Sequence, residues 1–294
     1  LEVKKRPGLY LAGQINGAGS FAADLSVTVS YSLSGALLAS SSLTGSLSVD
    51  EASVVSLVGT LEASGALAGE VSVTEPAEVP NFIIFDTDID SDIDDVSAEA
   101  LMAELVAKGE GQQIAAVATS NNDYAAPTLQ ALMTYRGASI IPVGAYKGTA
   151  DGVGGDNSLY TLGVRNRFRP SGETRADYPD AVTVLTAALQ AVPDQSVTYI
   201  VVGTCTTLAA LIAAEPALCA AKIRLISAMG GYFPNVQIGE SNTGMDLTAA
   251  NAVAQCGIPV VWAGAEIGNA VFTRIPTTAD TLQDPYKVAW DLGA

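Results

Sequence analysis

Asp86-Thr87-Asp88-Ile89-Asp90-Ser91-Asp92-Ile93-Asp94-Asp95 places six carboxylates within ten residues. No lysine or arginine stands between Arg6 and Lys108 to neutralise them. Like charges a few ångströms apart repel, and each raises the pKa of its neighbours. Two arrangements relieve that repulsion: water solvates an open loop, or a cation takes up the charge. Carboxylate oxygens are hard ligands, so calcium or magnesium is expected here rather than zinc or copper.

Two familiar acidic patterns do not fit the run. An EF-hand loop would draw its ligands from Asp88, Asp90, Asp92, Asp94 and Glu99. However, Ile93 stands where that loop requires glycine, and the residues before it read as a strand, not a helix. A phosphotransferase of the haloacid dehalogenase type opens with Asp-x-Asp-x-Thr/Val, and Asp86-Thr87-Asp88-Ile89-Asp90 fails at the last place. Other chemistries are excluded by composition. Histidine is absent, which removes histidine-ligated zinc, Ser-His and Cys-His nucleophile pairs and any histidine acid. The cysteines Cys205, Cys219 and Cys256 form no CxxC and read as small buried hydrophobes. A formal net charge of −17 argues against nucleic-acid binding, which needs a cationic face. The glycine-rich DGVGGD at 151–156 lies in a long loop and not between strand and helix, so no phosphate site is read there.

The acidic run must be held by something, and the surrounding sequence alternates strand and helix. NFIIF (81–85) reads as a short buried strand, and SAEALMAELVAKG (97–109) as a helix stopped by Gly109. IAAVATS (114–120), SVTYIVVG (196–203), KIRLISAMGG and IPVVWAG read as further strands, with helices APTLQALMTYRG, TTLAALIAAEP and DLTAANAVAQCG between them. This order implies an α/β fold, a mostly parallel sheet with flanking helices. Ligands bind such sheets at the carboxyl ends of the strands. The loops after Phe85, Ser120, Gly203 and Met229 are therefore expected to converge.

Residues before this region follow a different grammar. Residues 1–79 hold 3 basic and 8 acidic residues and are mainly Ser, Ala, Gly, Leu and Val. An apolar-x-Gly-x-apolar unit recurs as LAGQI (11–15), LSGAL (33–37), LTGSL (43–47), LVGTL (57–61) and LAGEV (67–71). Period-2 alternation around these units is strand grammar. Such strands bury little alone, and few charges guard their edges. We read 1–74 as a β-rich repeat module for assembly or attachment that favours a homo-oligomer or larger assembly, against the alternative of a small β-domain packed on its own chain. Its composition loosely resembles segments of bacteriophage virion and surface-display proteins. Residues 75–80 (EPAEVP) read as a linker, because two prolines sit poorly in a helix or central strand, and 81–294 form the α/β domain. No apolar run reaches the roughly 18 residues of a membrane span. The N-terminal LEVKKRPGLYLAG lacks the apolar core of a signal peptide.

Five segments in order over about residues 80–294 resemble the inosine-uridine nucleoside hydrolase family. They are FDTDIDSDIDDVSAEAL, SNNDYAAPTLQALMTYRGASIIPVG, PDQSVTYIVVGTCTTLAAL, ISAMGGYF and ESNTGMDLTAANAV. The resemblance implies calcium-dependent hydrolysis of the N-glycosidic bond of a ribonucleoside. By position, Asp88 would be metal ligand and general base, Asp95 a metal ligand, and Thr206 a metal ligand through its carbonyl. Asp94 would contact the ribose hydroxyls. Asn122, Glu240 and Asn242 would hold the sugar, Met229 would lie beneath it, and Asp86 would support the site from behind. Asp90 is the alternative to Asp88 in register. Three departures stand out. Asp90 occupies a usual glycine position, Thr207 replaces a usual asparagine, and the family's late metal aspartate has only Asp291 or Asp284 as candidates. The second reading is a catalytically silent structural protein, such as a virion or surface-layer component, that keeps the fold for packing or sugar binding.

Overall fold

The computed structural model describes residues 80–90, 92–148, 159–169, 172–233, 239–270 and 283–293, together with the backbone of five strands before residue 67. The chain divides into two compact units, 1–76 and 77–294.

In the first unit the strands are β1 (Glu2–Lys4), β2 (Leu25–Thr28), β3 (Ser32–Ser34), β4 (Ser40–Val49) and β5 (Val54–Ala66). β1 pairs with β3, and β5 lies between β2 and β4, all antiparallel. The register of β4 on β5 sets one repeat unit against another: Leu43 faces Leu61, Gly45 faces Gly59, and Leu47 faces Leu57. The units at 11–15 and 67–71, most of the unit at 33–37, and linker residues 75–79 lie outside the described residues.

The second unit contains β6 (Phe82–Thr87), α1 (Asp94–Ala107), β7 (Gln112–Ala118), α2 (Ala125–Tyr135), β8 (Val143–Ala145), α3 (Leu159–Phe168) and α4 (Ala181–Gln190). β9 (Val197–Val201), α5 (Thr206–Ala214), α6 (Pro216–Lys222), β10 (Ile223–Met229), α7 (Ser241–Met245), α8 (Leu247–Ala254), β11 (Val260–Ala263), α9 (Ala265–Gly268) and α10 (Pro285–Gly293) follow. The six strands form one all-parallel sheet in the order β11-β10-β9-β6-β7-β8. The chain builds outward from β6 through β7 to β8, then returns to the other side of β6 with β9. That reversal puts a topological switch point between β6 and β9, where a crevice opens at the carboxyl ends of the strands.

Alternation along β6 explains how both faces of the sheet are covered. Ile84 packs with Val117, Tyr199, Val201, Leu185 and Leu208 on one face, while Ile83 and Phe85 pack with Ala116, Leu129, Leu132 and Met133 on the other. Each fully buried side chain of this size contributes about 1.5–3 kcal/mol of transfer free energy. The same period of two sends Asp86 to the face of Ile84, so a carboxylate follows an apolar strand into the core. The strand runs two residues past the expected Phe85 for this reason. Asp86 and Thr87 pair in register with Val117 and Ala118 of β7. Helix α1 closes as expected, with Lys108 as C-cap and Gly109 at φ +83°. A residue with a Cβ is strained in that left-handed region, and glycine is not. The helix begins at Asp94 rather than residue 97, so Asp94 and Asp95 form its first turn, where the positive end of the helix dipole favours acids.

Candidate functional site

Asp86 anchors the site from below. It is fully buried, and it accepts hydrogen bonds from Thr119 Oγ1 at 2.5 Å and from the Tyr199 hydroxyl at 2.7 Å. Burial nevertheless dominates these bonds and pushes its pKa up to about 7. Thr207 Oγ1 lies 2.6 Å from Thr119 Oγ1, so the threonine that departs from the family pattern is fully buried and joins this network.

Asp88 follows the strand and turns toward the loop after β9. A Cβ on Gly203 would lie 2.5 Å from the Asp88 carboxyl carbon, so this approach requires glycine. The Asp88 carboxylate is thereby placed across the switch point, beside the start of α5. Burial and the charges of Asp92, Asp86 and Asp90 hold its pKa at about 7. The acidic group closes with Asp92, Asp94 and Asp95, each offering a carboxylate oxygen within 4.8 Å of the others. Asp95 is buried and accepts from Thr87 Oγ1 at 2.5 Å. Burial and then Asp88 and Asp94 push its pKa well above the usual carboxylate range. Asp92 and Asp94 are exposed, and the partial burial of the Asp94 carboxyl together with Asp92 raises its pKa above the usual carboxylate range. Among the described residues no basic side chain pairs with any of these acids.

Asp90 points elsewhere. It is buried and accepts from Ser120 Oγ at 3.2 Å and from Asn122 Nδ2 at 2.5 Å. Between the two registers open in the sequence, Asp88 is the residue set against Gly203, whereas Asp90 engages the asparagine loop. Asn122 does not cap α2. The N-cap is Tyr124, and Asn122 Oδ1 accepts from the Tyr124 backbone N–H at 2.7 Å while its amide also reaches Thr161 Oγ1 at 3.2 Å.

The far wall carries the remaining expected residues. Asn242 Nδ2 donates to the Val202 carbonyl at 2.8 Å and lies 3.2 Å from Met229 Sδ, so Asn242 and Met229 meet at the ends of β9 and β10. Glu240 is the N-cap of α7 and accepts from the N–H groups of Gly231, Asn242 and Thr243 at 2.9, 2.7 and 2.9 Å. It also lines a cleft of about 290 Å³ with Gly231, Tyr232, Phe233, Thr243 and Leu247. Thr206 opens α5, and its hydroxyl donates to Asp246 Oδ2 at 2.7 Å. The late aspartates are not among the converging carboxylates. Asp291 is exposed on α10 and pairs with Lys287, and Asp284 accepts the N–H of Tyr286 at 2.9 Å at the start of that helix.

Three participants were not singled out in the sequence. Asp92 stood within the acidic run but carried no role of its own. Tyr160 and Arg165 lie on α3, a helix whose mixed sequence LYTLGVRNRF gives no amphipathic signal. Tyr160 is fully buried, Arg165 is 8% exposed and lies 4.5 Å above the Tyr124 ring, and among the described residues the Tyr160 hydroxyl and Arg165 Nε have no partner.

The family profile described as inosine-uridine preferring nucleoside hydrolase matches residues 83–292. No curated protein matches the chain. Among solved structures, the effector protein XOO4466 superposes with a TM-score of 0.56 at 20% identity, over 73% of this chain and 65% of the effector. The inosine-uridine preferring nucleoside hydrolase of Bacillus anthracis gives 0.52 at 17% identity, over 72% of this chain and 76% of the enzyme. The plant nucleoside hydrolase PpNRh1 gives 0.53 at 24% identity, over 73% of this chain and 71% of that one. At these identities the likeness is one of fold.

Proposed function

This chain belongs to the inosine-uridine preferring nucleoside hydrolase family, and from that premise we propose that residues 81–294 hydrolyse the N-glycosidic bond of ribonucleosides with a calcium ion at the acidic loop. The observation that carries the reading is the convergence of Asp92, Asp94 and Asp95 within 4.8 Å, with Asp88 brought against Gly203 beside them. The donor set fits the ion, because these are hard oxygens whose mutual repulsion a divalent cation would relieve. Asp88 and Asp95 would hold it, with the Thr206 carbonyl as a further ligand and Asp92 as a new candidate. When bound, calcium orients vicinal ribose hydroxyls and acidifies a water.

The chain's own groups supply the rest. Asp88 takes the proton of the attacking water as that oxygen bonds to C1′ of the sugar. The C1′–N bond breaks, and the base leaves with the electron pair and takes a proton from solvent. The transition state carries positive charge on the sugar, which the surrounding carboxylates favour. Asp94 receives the ribose hydroxyls, and Asn122, Asn242 and Glu240 hold the sugar above Met229. Residues 1–74 would carry this domain into a homo-oligomer or larger assembly.

The test is release of ribose from a panel of ribonucleosides, with and without a chelator. Turnover that the chelator abolishes supports the reading, and no turnover on any substrate rejects it.

A second reading draws on the late aspartates. Asp291 is paired with Lys287 and Asp284 holds the start of α10, so neither supplies a carboxylate to the acidic group. A silent sugar-binding or structural protein of this fold would show ribose binding without turnover, or a large assembly free of metal on sizing. The likeness to an effector protein is compatible with this reading.

A further inference from the structure

Tyr160 is the anomaly beside the acidic loop. It belongs to the first turn of α3, its side chain has 0% exposure, and among the described residues its hydroxyl has no hydrogen-bond partner. A buried hydroxyl left unsatisfied costs about 1–3 kcal/mol, so buried polar groups almost always have a partner. The ring is placed by close packing. A Cβ on Gly293, at the end of α10, would lie 3.0 Å from Tyr160 Cδ1 and 3.4 Å from both Tyr160 Cγ and Ile93 Cδ1. The base of the ring thus packs against the end of α10, beside Ile93 of the acidic loop. Burial first, and then the charges of Asp95, Asp90, Asp92 and Asp94, keep the phenol protonated. The next residue, Thr161, already serves the site by accepting from Asn122. The first turn of α3 therefore lies beside the acidic loop and its asparagine partner, and among the described residues the Tyr160 hydroxyl is without a partner.

We propose that the Tyr160 hydroxyl is a binding group of the acidic site, donating its hydrogen bond to a hydroxyl-type oxygen, from water or from a sugar, that completes the shell of a cation held there. The proposal rests on the cation reading above. A divalent ion such as calcium takes six to eight oxygens, more than the converging carboxylates supply, so water or sugar oxygens must fill the remaining places. A protonated phenol suits such an oxygen, because it donates without adding charge to a site already crowded with carboxylates. Tyr160 is a positioning residue in this account, since it acts on the oxygen and not on the breaking bond.

The experiment compares the full chain with Tyr160→Phe. Calcium chloride is titrated into chelator-treated protein by calorimetry, D-ribose is then titrated at saturating calcium, and the melting temperature is measured in chelator. If the hydroxyl serves water, the variant binds calcium about tenfold more weakly; if it serves the sugar, calcium binding is unchanged and ribose binding weakens by about tenfold. In either case the metal-free variant melts at the same or a higher temperature, because an unsatisfied group has been removed. Unchanged affinity for both probes overturns the proposal, as does a metal-free variant that melts lower, since the hydroxyl would then have an internal partner. A wild-type chain that binds no calcium overturns this proposal together with the cation reading. A wild-type chain that binds calcium, with a variant that matches it for both probes, overturns the Tyr160 role alone.

Discussion

Asn122 donates its side-chain amide to Asp90 at 2.5 Å, and both residues are almost wholly buried. The amide expected to hold a sugar is thus already occupied by a carboxylate at a position where the family usually has glycine. Part of the acidic loop folds onto the asparagine loop instead of joining Asp92, Asp94 and Asp95. A sugar held by Asn122, as proposed, would therefore compete with an internal bond.

Asp90→Gly removes that competitor. The variant is expected to bind ribose or a ribonucleoside about tenfold more tightly, with kcat little changed, because one hydrogen bond to a charged group is released for the ligand. Its stability falls, since Ser120 and Asn122 lose their acceptor. Steady-state kinetics or ribose calorimetry checks the first effect and thermal melting the second. Unchanged affinity would show that Asn122 does not meet the sugar.

Asp88→Asn tests both duties assigned to Asp88. The amide can no longer take a proton, so kcat is expected to fall by about 10²–10⁴, the range for a lost general base. Calcium affinity falls as well. The glycine against which Asp88 rests gives a companion variant, Gly203→Ala, whose Cβ would sit 2.5 Å from the Asp88 carboxyl carbon. It displaces the same carboxylate without changing its chemistry, and the two variants should fail in the same assays.

Asp95→Asn is expected to act in opposite directions with and without metal. Asp95 is buried, and both burial and the charges of Asp88 and Asp94 oppose its ionisation. Replacing it by a neutral amide that still accepts from Thr87 removes that repulsion. The metal-free variant should melt at a higher temperature than wild type and lack the rise in melting temperature expected of wild type in calcium. A lower melting temperature in chelator would mean that Asp95 is held by something other than the cation.

The sequence displayed the sheet and the acidic loop well, because both are written in local patterns. Buried strands such as 81–85 and 114–120 are short apolar runs, and Gly109 marks a helix stop. The convergence of the loops after β6, β7, β9 and β10 follows from parallel topology alone. What escaped depends on contacts distant in sequence. Asp90 differs from Asp88 only through its partner 32 residues away, and Tyr160 gains its place from Gly293 and Ile93, neither of which a local pattern connects to it. The late aspartates also needed the fold, since Asp291 in a helix with Lys287 four residues earlier is satisfied locally.

Acid should stabilise the metal-free protein. Asp86 and Asp88 rise from 3.8 to about 7 in the folded chain, chiefly through burial. Between pH 4 and pH 7 the unfolded state has released protons that the folded state still holds, so stability decreases as pH rises through that window and levels off above it. Calcium needs the ionised carboxylates, so its binding releases protons below pH 7 and its affinity falls with acid. Melting curves in chelator and in calcium, taken across this range, should therefore converge at low pH and separate at neutral pH. Parallel curves would show that the carboxylates do not hold the ion.

Glu99 carries the last prediction, because it ties the site's supports together from the core. It has no exposure, receives Arg136 Nε at 2.5 Å, and is bonded by the Tyr286 hydroxyl of α10. Arg136 also donates to Gln113 at 2.6 Å, and the Tyr286 ring meets Tyr135 edge-on at 6.1 Å. One carboxylate thus joins α1, the end of α2 and the start of α10. Burial raises the Glu99 pKa, and Arg136 opposes that rise. Arg136→Met leaves the carboxylate buried without its cation, which costs about 3–5 kcal/mol for a broken buried pair. Adding Glu99→Gln should recover much of that loss, because the buried charge itself is gone. Urea denaturation of both variants measures this. The double variant should also loosen α10, whose Gly293 end positions Tyr160, so its calcium or ribose affinity should stay below wild type even where stability returns. Full recovery of both would show that the network stabilises the core without orienting the acidic site.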